Sequence, residues 1–272
     1  METVTVRDAE VPVLGLGTWQ ITGEQCYETV STALELGYRH IDTAQMYENE
    51  RQVGRAVADS EVDRDDIWIT TKVTPGNARY DDVLESTRES LDRLDTGYVD
   101  LLLLHWPNPL VDFRDTARAM AELRDDGLVD HAGVSNFRRW RLRKAREKSP
   151  IPVLADQVRC HPYYTRETLR RECEREGHVL TAYSPLAHGG VVGDDRLAAI
   201  GDPYDRSAAQ VALRWLTRRT NVVAIPKATS RDHLAANLAA LDFELSDAEL
   251  AEVADPSLLR TASLLLRNEF AP

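Results

Sequence analysis

The chain has very little lysine, little cysteine and no long apolar run. Only 4 of its 272 residues are lysine, against 29 arginine, 25 aspartate and 20 glutamate residues. Its three cysteines, Cys26, Cys160 and Cys173, have unrelated spacings and no CxxC pair, which argues against a zinc site or a disulfide framework. No segment approaches the roughly 20 apolar residues of a membrane span, and no basic start precedes an apolar core at the N-terminus. We therefore expect a cytoplasmic protein with no membrane partner.

The net charge further limits the classes of partner that we expect. A formal net charge of −12 repels polyanions, so we expect no nucleic-acid partner. A surface rich in Asp and poor in Lys is typical of proteins from salt-rich cytoplasm, where salt screens the repulsion between carboxylates. One hypothesis is therefore that the protein is halophilic. The alternative, which the composition leaves open, is a GC-rich genome that favours arginine over lysine.

Short apolar runs alternate with amphipathic segments along most of the chain. Eight runs predict strands at residues 14–17, 38–42, 67–72, 99–105, 129–135, 153–157, 179–183 and 222–226. Eight segments with apolar residues at three- and four-residue steps predict helices near residues 25–36, 48–59, 80–94, 113–126, 136–148, 165–176, 206–218 and 231–240. Strict alternation of strand and helix implies parallel strands joined by right-handed crossovers.

Eight such units in about 250 residues indicate an α/β fold of the closed (β/α)8 type, the TIM barrel, rather than an open sheet. No linker rich in Pro, Gly or Ser divides the chain, so we expect one domain over residues 1–272. A monomer is the expected oligomeric state, although nothing in the sequence determines it. Residues 4–13 alternate in polarity around a turn near residues 7–10 and predict a β-hairpin that closes the barrel floor. The tail after Ser246 is expected to form a capping helix and a loop.

Polar residues end the predicted strands, and in such a barrel the carboxyl ends of the strands face one mouth. These residues are Asp42, Lys72, His105, Ser135, Asn136, Gln157, Tyr183, Ser184 and Lys227. One strand–helix unit separates Asp42 from Lys72 and another separates Lys72 from His105. We therefore expect these three side chains to be neighbours on the rim.

Tyr47 lies five residues beyond Asp42 and completes a candidate site for proton transfer. A phenol is a poor acid at neutral pH, but a buried ammonium beside it favours the phenolate and lowers its pKa. We expect Lys72 to be that ammonium, Asp42 to keep it charged and oriented, and His105 to hydrogen-bond a substrate oxygen. Taken singly, each residue is more often structural or solvated. The convergence of all four on one mouth is what indicates catalysis.

Several motifs, in this order, resemble those of the aldo-keto reductases. They are GLGTWQ at 15–20, GYRHIDTAQMYENERQVG at 37–54, DLLLLHWP at 100–107, GVSNF at 133–137 and IPKATSRDHLAANL at 225–238. The resemblance runs from about residue 11 to residue 245. It implies a (β/α)8 barrel that reduces aldehydes or ketones with a nicotinamide cofactor and without a metal. It also implies a tetrad of Asp42, Tyr47, Lys72 and His105, with Tyr47 as the general acid.

The same resemblance implies a cofactor site on the strand ends. The matching positions are Ser135, Asn136 and Gln157 for the nicotinamide carboxamide, Tyr183 for stacking on the nicotinamide ring, and Ser184 and Leu186 for the pyrophosphate. A nucleotide phosphate suits a loop with exposed hydrogen-bond donors.

The chain departs from the family pattern where the family holds the adenosine 2′-phosphate. Lys227 is present, but the serine that usually follows is Ala228, and the arginine expected six residues after the lysine is His233. Asn237, at the family's adenine contact, is retained, and Arg231 is a candidate replacement cation. We therefore predict NADPH as the cofactor, preferred only weakly over NADH.

Tryptophans complete the predicted site. Trp19 and Trp106 match positions that line the substrate pocket of the family, whereas Trp68, Trp140 and Trp215 are assigned to packing. The short tail predicts an open and tolerant pocket. The expected substrates are small carbonyl compounds, namely aldehydes, keto sugars and dicarbonyls.

Two other classes of function are compatible with a barrel of this kind. The same fold could bind a nicotinamide cofactor as a redox-sensing regulatory subunit with little turnover, and an intact tetrad argues against that reading. A barrel hydrolase needs two acidic groups at the mouth, and only Asp42 among the predicted strand ends is acidic. The sequence therefore favours the enzyme.

Overall fold

This computed structural model describes residues 1–254, which contain ten strands and ten α-helices. The strands are β1 Thr3–Val6, β2 Ala9–Pro12, β3 Leu16–Gly17, β4 His40–Asp42, β5 Trp68–Val73, β6 Val99–Leu104, β7 Val129–Ser135, β8 Val153–Arg159, β9 Val179–Tyr183 and β10 Val222–Ile225. The helices are α1 Gly23–Leu36, α2 Glu50–Ala58, α3 Tyr80–Leu94, α4 Phe113–Asp125, α5 Arg139–Lys148, α6 Glu167–Glu176, α7 Asp195–Gly201, α8 Ala208–Thr217, α9 Arg231–Leu238 and α10 Asp247–Val253.

Strands β3 to β10 form one parallel sheet that closes on itself. Each strand pairs with the next in chain order, from β3 to β10. The two ends of the sheet meet where Leu14 bridges Ala224, with the Gly15 amide donating to the Ala224 carbonyl at 2.9 Å. The Gly17 amide continues this seam by donating to the carbonyl of Pro226 at 3.1 Å. The predicted (β/α)8 barrel is confirmed.

The predicted hairpin covers one end of this barrel. Strands β1 and β2 pair antiparallel, and the turn between them is made possible by Arg7, which adopts a left-handed φ of 59°. Val6, Ala9 and Val11 are buried in the same apolar cluster as Trp68 and Val179, the first residues of β5 and β9. Because these residues begin parallel strands, the hairpin lies at the amino-terminal end of the barrel, as predicted.

The barrel interior changes from apolar to polar along its axis. Side chains alternate along a strand, so the inward residues of β5 are Trp68, Thr70 and Lys72. On β6 the inward series Leu101 and Leu103 leads to His105, just beyond the strand. Lys72 lies above these apolar residues and is fully buried, yet its Nζ reaches the polar groups near the mouth.

Two helix predictions need correction. Helix α7 was not predicted, because its seven residues are too few to show a period; it is capped by Asp194, which accepts from the amides of Arg196 and Leu197. The helix predicted from residue 136 begins only at Arg139, because Asn136 has a left-handed φ of 63° that a helix cannot continue through.

The tail helix is confirmed as far as the structure reaches. Helix α10 begins with a capping box between Ser246 and Glu249 and packs on α8, where the Trp215 indole donates to the Leu250 carbonyl at 3.1 Å. The loop predicted to follow it falls at residues 255–272, outside the described residues. No helix within residues 1–254 has both the length and the apolar character of a membrane span.

The tryptophans predicted to pack in the core divide into two groups. Trp68 and Trp215 are buried, as expected. Trp140 is not, because 47% of its surface is exposed. The prediction for Trp140 was wrong because its position on a helix does not by itself reveal which side of that helix faces the barrel.

We expect Gly54→Ala to destabilise the fold, because α2 crosses the end of α3 with no room for a side chain. A Cβ at Gly54 would overlap the carbonyl oxygen of Leu94, which is backbone and cannot rotate away. The expected loss is about 1–3 kcal/mol of the free energy of unfolding, measured by urea denaturation. Gly97→Ala is the control, since a Cβ there meets nothing within 4 Å. Equal stability of both variants would contradict this account of the α2–α3 contact.

Candidate active site

A short irregular segment carries Tyr47 from the end of β4 back over the barrel. Asp42 ends β4, and Gln45–Tyr47 form one 3₁₀ turn, closed by the Tyr47 amide donating to the Ala44 carbonyl at 3.0 Å. Glu48 follows with a left-handed φ of 55°, which ends the turn. The turn therefore holds the phenol above the residue that ends the strand.

Two side chains that the sequence analysis did not single out pin this segment. The fully buried Asn49 accepts from the Thr43 hydroxyl at 2.6 Å and donates to the carbonyls of Thr18 and Ile21 at 2.9 and 2.8 Å. Gln45 accepts from the Thr74 amide at 2.9 Å, just beyond β5. Both lie inside the motif at 37–54, but only the folded chain shows which loops they join.

The buried ammonium of Lys72 joins the other predicted groups. Its Nζ donates to Asp42 Oδ1 and to the Thr43 carbonyl, each at 2.6 Å, and to the Tyr47 hydroxyl at 3.4 Å. The side chains of Lys72 and Asp42 are 0% and 2% exposed. Tyr47 is half-buried. The structure thus brings together Asp42, Tyr47 and Lys72 as the strand spacing predicts.

The pKa values of this group reflect a contest between burial and charge. Burial alone favours the neutral amine of Lys72, but attraction to Asp42 and Tyr47 and their hydrogen bonds outweigh it and raise the Lys72 pKa. Burial raises the pKa of Tyr47, and Lys72 lowers it by a smaller amount. The expected net lowering of the Tyr47 pKa is therefore not found. The phenol remains protonated at neutral pH, while the ammonium makes its ionisation less costly.

His105 stands against the Tyr47 ring. The ring centroids are 5.6 Å apart at 78°, an edge-to-face arrangement. Burial, with a smaller contribution from Lys72, lowers the His105 pKa to about 3, so the imidazole is neutral at physiological pH. Its Nδ1 is buried without a hydrogen-bond partner among the described residues. A neutral imidazole can donate one hydrogen bond from whichever ring nitrogen carries its proton.

A second polar cluster adjoins the first. Gln157 Nε2 donates to Asp42 Oδ2 at 2.6 Å, and the Ser135 hydroxyl donates to the Gln157 carbonyl at 2.9 Å. The Asn136 amide donates to Ser135 Oγ at 3.0 Å, and the Tyr183 hydroxyl donates to Asn136 Oδ1 at 2.9 Å. All four residues predicted to face the nicotinamide therefore belong to one connected network with Asp42. Amide, hydroxyl and aromatic groups together suit a planar ring bearing a carboxamide.

The segment after β9 forms a compact turn. Ser184 has a left-handed φ of 48°, and its Oγ lies 3.4 Å from His188 Nε2. Leu186 is half-buried and accepts from the Gly189 amide at 3.0 Å, which forms a 3₁₀ turn. His188 is a rim residue that the sequence analysis missed, since an isolated histidine after SPLA carried no signal.

The residues predicted for the adenosine end lie after β10 and on α9. Lys227 and His233 are exposed, whereas Asn237 is buried. Arg231 Nη1 donates to Glu35 on α1 at 2.8 Å. This pair is 61% and 62% exposed, so it holds Arg231 only weakly, and the role of Arg231 as a replacement cation stays a prediction. Lys227 forms no ion pair with any residue from 1 to 254.

Both tryptophans predicted for the substrate pocket lie beyond strand ends and are open to solvent. Trp19 follows β3 and is 40% exposed, with its ring centroid 6.2 Å from that of His188. Trp106 follows β6 and is 48% exposed. Their placement at the carboxyl end of the barrel suits apolar walls for the mouth, although their rings do not contact each other.

The fold and the site together define a closed (β/α)8 barrel with a buried ion pair and a tyrosine at its mouth. The model of the Aldo/keto reductase family matches residues 13–256. The chain belongs to that family.

Named relatives are similar over nearly the whole chain. The glyoxal reductase of Bacillus subtilis is 37% identical, with 93% of this chain and 91% of that protein covered. The methylglyoxal reductase of Salmonella typhi is 38% identical, with coverage of 88% and 90%. A crystal structure of a putative 2,5-diketo-D-gluconic acid reductase B superposes with a TM-score of 0.92 at 39% identity, covering 94% of this chain and 91% of that one.

We expect Asp42→Asn to be strongly destabilising, because it leaves the Lys72 ammonium buried without its counter-charge. Breaking a buried ion pair from one side costs about 3–5 kcal/mol of the free energy of unfolding. Urea denaturation measures the loss. Glu24→Gln removes one partner of an exposed pair with Arg55, 61% and 49% exposed, and should leave stability nearly unchanged. An Asp42→Asn protein as stable as the parent would show that Lys72 does not depend on this carboxylate.

Proposed function

We propose that this protein reduces small aldehydes and ketones to alcohols with NADPH and that Tyr47 is the general acid. The observation that carries the proposal is the hydrogen bond between Lys72 Nζ and the Tyr47 hydroxyl, made by an ammonium that Asp42 holds in the barrel interior. A proton donor beside a fixed cation at the mouth of a barrel is what carbonyl reduction requires, since oxygen gains negative charge as the carbon is reduced.

Tyr47 donates its proton to the substrate oxygen as that charge develops. Because burial keeps the Tyr47 pKa high, the phenol carries the proton at the start of the reaction. The Lys72 ammonium then stabilises the phenolate that remains, and Asp42 keeps the ammonium in place. The neutral imidazole of His105 donates a hydrogen bond to the same oxygen and so positions the carbonyl.

The polar cluster beside the tetrad supports a nicotinamide site. When bound, the nicotinamide supplies the hydride to the carbonyl carbon. Ser135, Asn136 and Gln157 would hold its carboxamide, and Tyr183 would carry its ring. The hydrogen bond from Gln157 to Asp42 ties the two parts of the site together, so one network would position both the nicotinamide and Tyr47.

The substrate class rests on the relatives and on the open mouth. Proteins 37% and 38% identical to this chain are named for the reduction of glyoxal and methylglyoxal, and a similar structure is named for a diketo sugar acid. Exposed Trp19 and Trp106 would offer apolar walls to such molecules. We propose small dicarbonyls, aldehydes and keto sugars as substrates.

Replacement of Tyr47 by Phe tests the proposed acid. We expect Tyr47→Phe to lower kcat for methylglyoxal reduction at least about 100-fold, the scale of a lost general acid, while NADPH affinity changes little. NADPH oxidation is followed by absorbance and NADPH binding by fluorescence quenching. Tyr27→Phe removes a hydroxyl that bonds Asp59 on the outer surface and is the matched control. Near-normal turnover by Tyr47→Phe would refute the role of Tyr47.

Replacement of Lys227 by Ala tests the cofactor preference. Lys227 is an exposed cation after β10 with no ion pair among residues 1–254, whereas Arg231 shares its charge with Glu35. We therefore expect Lys227 to contribute more than Arg231 to binding the 2′-phosphate. We expect Lys227→Ala to raise the Kd for NADPH about tenfold, the value of one charge-assisted hydrogen bond, and to leave the Kd for NADH unchanged. Arg231→Ala should have the smaller effect. A parent protein that prefers NADH would overturn this assignment.

A further inference from the structure

A cleft of about 190 Å³ lies outside the barrel, between the segment that follows β6 and helix α5. Its floor is apolar and includes Leu104, Val111, Phe113 and Phe137. The Phe113 and Phe137 rings meet edge to face with centroids 5.6 Å apart. The side chains of the proposed active site do not line it. An apolar cavity of about 150 Å³ is large enough to bind benzene, so this cleft can accept one aromatic ring.

The rim of the cleft is cationic in a protein whose net charge is −12. Arg141, Lys144 and Lys148 line it from α5, against the single carboxylate of Asp112. Lys148 is paired with that carboxylate, donating to Asp112 Oδ1 at 2.7 Å. Arg141 and Lys144 form no ion pair with any residue from 1 to 254. Two cations are therefore available to a ligand.

Trp140 joins the apolar floor to these cations. It lines the cleft and is 47% exposed, although buried packing was expected from its sequence position. The Arg141 guanidinium carbon and Lys144 Nζ lie 5.0 and 5.4 Å from its ring centroid. An exposed indole with two unpaired cations over its rings offers a stacking surface and charge at one place.

We propose that this cleft binds a small organic anion that carries one aromatic ring and one carboxylate. The ring enters the apolar floor beside Phe113 and Phe137, and the carboxylate lies between Arg141 and Lys144. The floor adjoins the proposed active site from outside, because Leu104 precedes His105 and Phe137 follows Asn136. The cleft is nevertheless separate from the mouth of the barrel and is not part of the proposed carbonyl-binding pocket.

Phenylacetate is the probe and phenylacetamide its neutral counterpart. The chain has five tryptophans, so their indole N–H signals in a 1H–15N NMR spectrum of the full chain are few, and Trp140→Phe identifies the one from Trp140. We expect phenylacetate to shift the Trp140 signal saturably and phenylacetamide to bind about tenfold more weakly, for lack of the charge. Equal affinity for both, or shifts of Trp19 and Trp106 with none at Trp140, would overturn the proposal.

Charge reversal on α5 localises the anion. We expect Lys144→Glu to weaken phenylacetate binding at least about tenfold. Arg143→Glu is the matched control, since Arg143 lies on the same helix and does not line the cleft, and it should change the Kd less than about twofold. Both variants are checked for folding by circular dichroism. Equal losses in both would show that only the general field of α5 attracts the probe, which overturns the site.

A third variant separates this site from the proposed active site. Tyr47→Phe should keep the parent's affinity for phenylacetate at Trp140, because Tyr47 does not line the cleft. Loss of the Trp140 shift in Tyr47→Phe would place the probe at the mouth of the barrel instead and refute a separate site.

Discussion

The ion pair between Asp42 and Lys72 is the constraint on which the rest of the site depends. Two charges held at 2% and 0% exposure are stable together only if their remaining hydrogen-bonding capacity is also met. The Thr43 carbonyl and the Tyr47 hydroxyl satisfy the ammonium, and Gln157 satisfies the second carboxylate oxygen. Because these buried charges must be compensated, β4 with the turn that follows it, β5 and β8 have to lie together. The same arrangement is the one that proton transfer needs.

The barrel makes this arrangement possible by separating stability from chemistry along its axis. The hairpin and the first inward residues of the strands form a mainly apolar floor, in which Val6, Trp68 and Val179 share one cluster and His40 is buried beside Trp68. Above that floor the inward positions become polar without exposing the floor to water. Asn49 and Gln45, whose hydrogen bonds hold the Tyr47 segment in place, lie at the mouth and do not contact the floor.

The outer face of the same loops has a different character. Alternation along β6 directs Leu104 outward while the neighbouring His105 lies at the mouth, and the turn after β7 directs Asn136 and Phe137 to different sides. The apolar cleft and the polar site thus share backbone but not side chains. The cationic helix α5 is distinctive here because it carries two of the four lysines in an acidic chain.

The sequence allowed the barrel, the hairpin and the meeting of Asp42, Tyr47 and Lys72 to be predicted, since strand periodicity and spacing are local properties. Localisation, oligomeric state and salt adaptation remain predictions. Other features were out of reach for physical reasons. Helix α7 is too short for a period, and the later start of α5 depends on the conformation of Asn136, which no composition reveals.

The amino-acid sequence by itself determined which residue types end the strands. The alternation of strands and helices, and the length of each strand–helix unit, then place those residues at one rim of the barrel. What only the tertiary structure decided is how charge and burial balance there. The Tyr47 pKa is raised because burial outweighs Lys72, Arg231 is engaged by Glu35, and Trp140 is open to solvent. Each of these depends on contacts between segments far apart in the chain, and such contacts exist only after the barrel has closed.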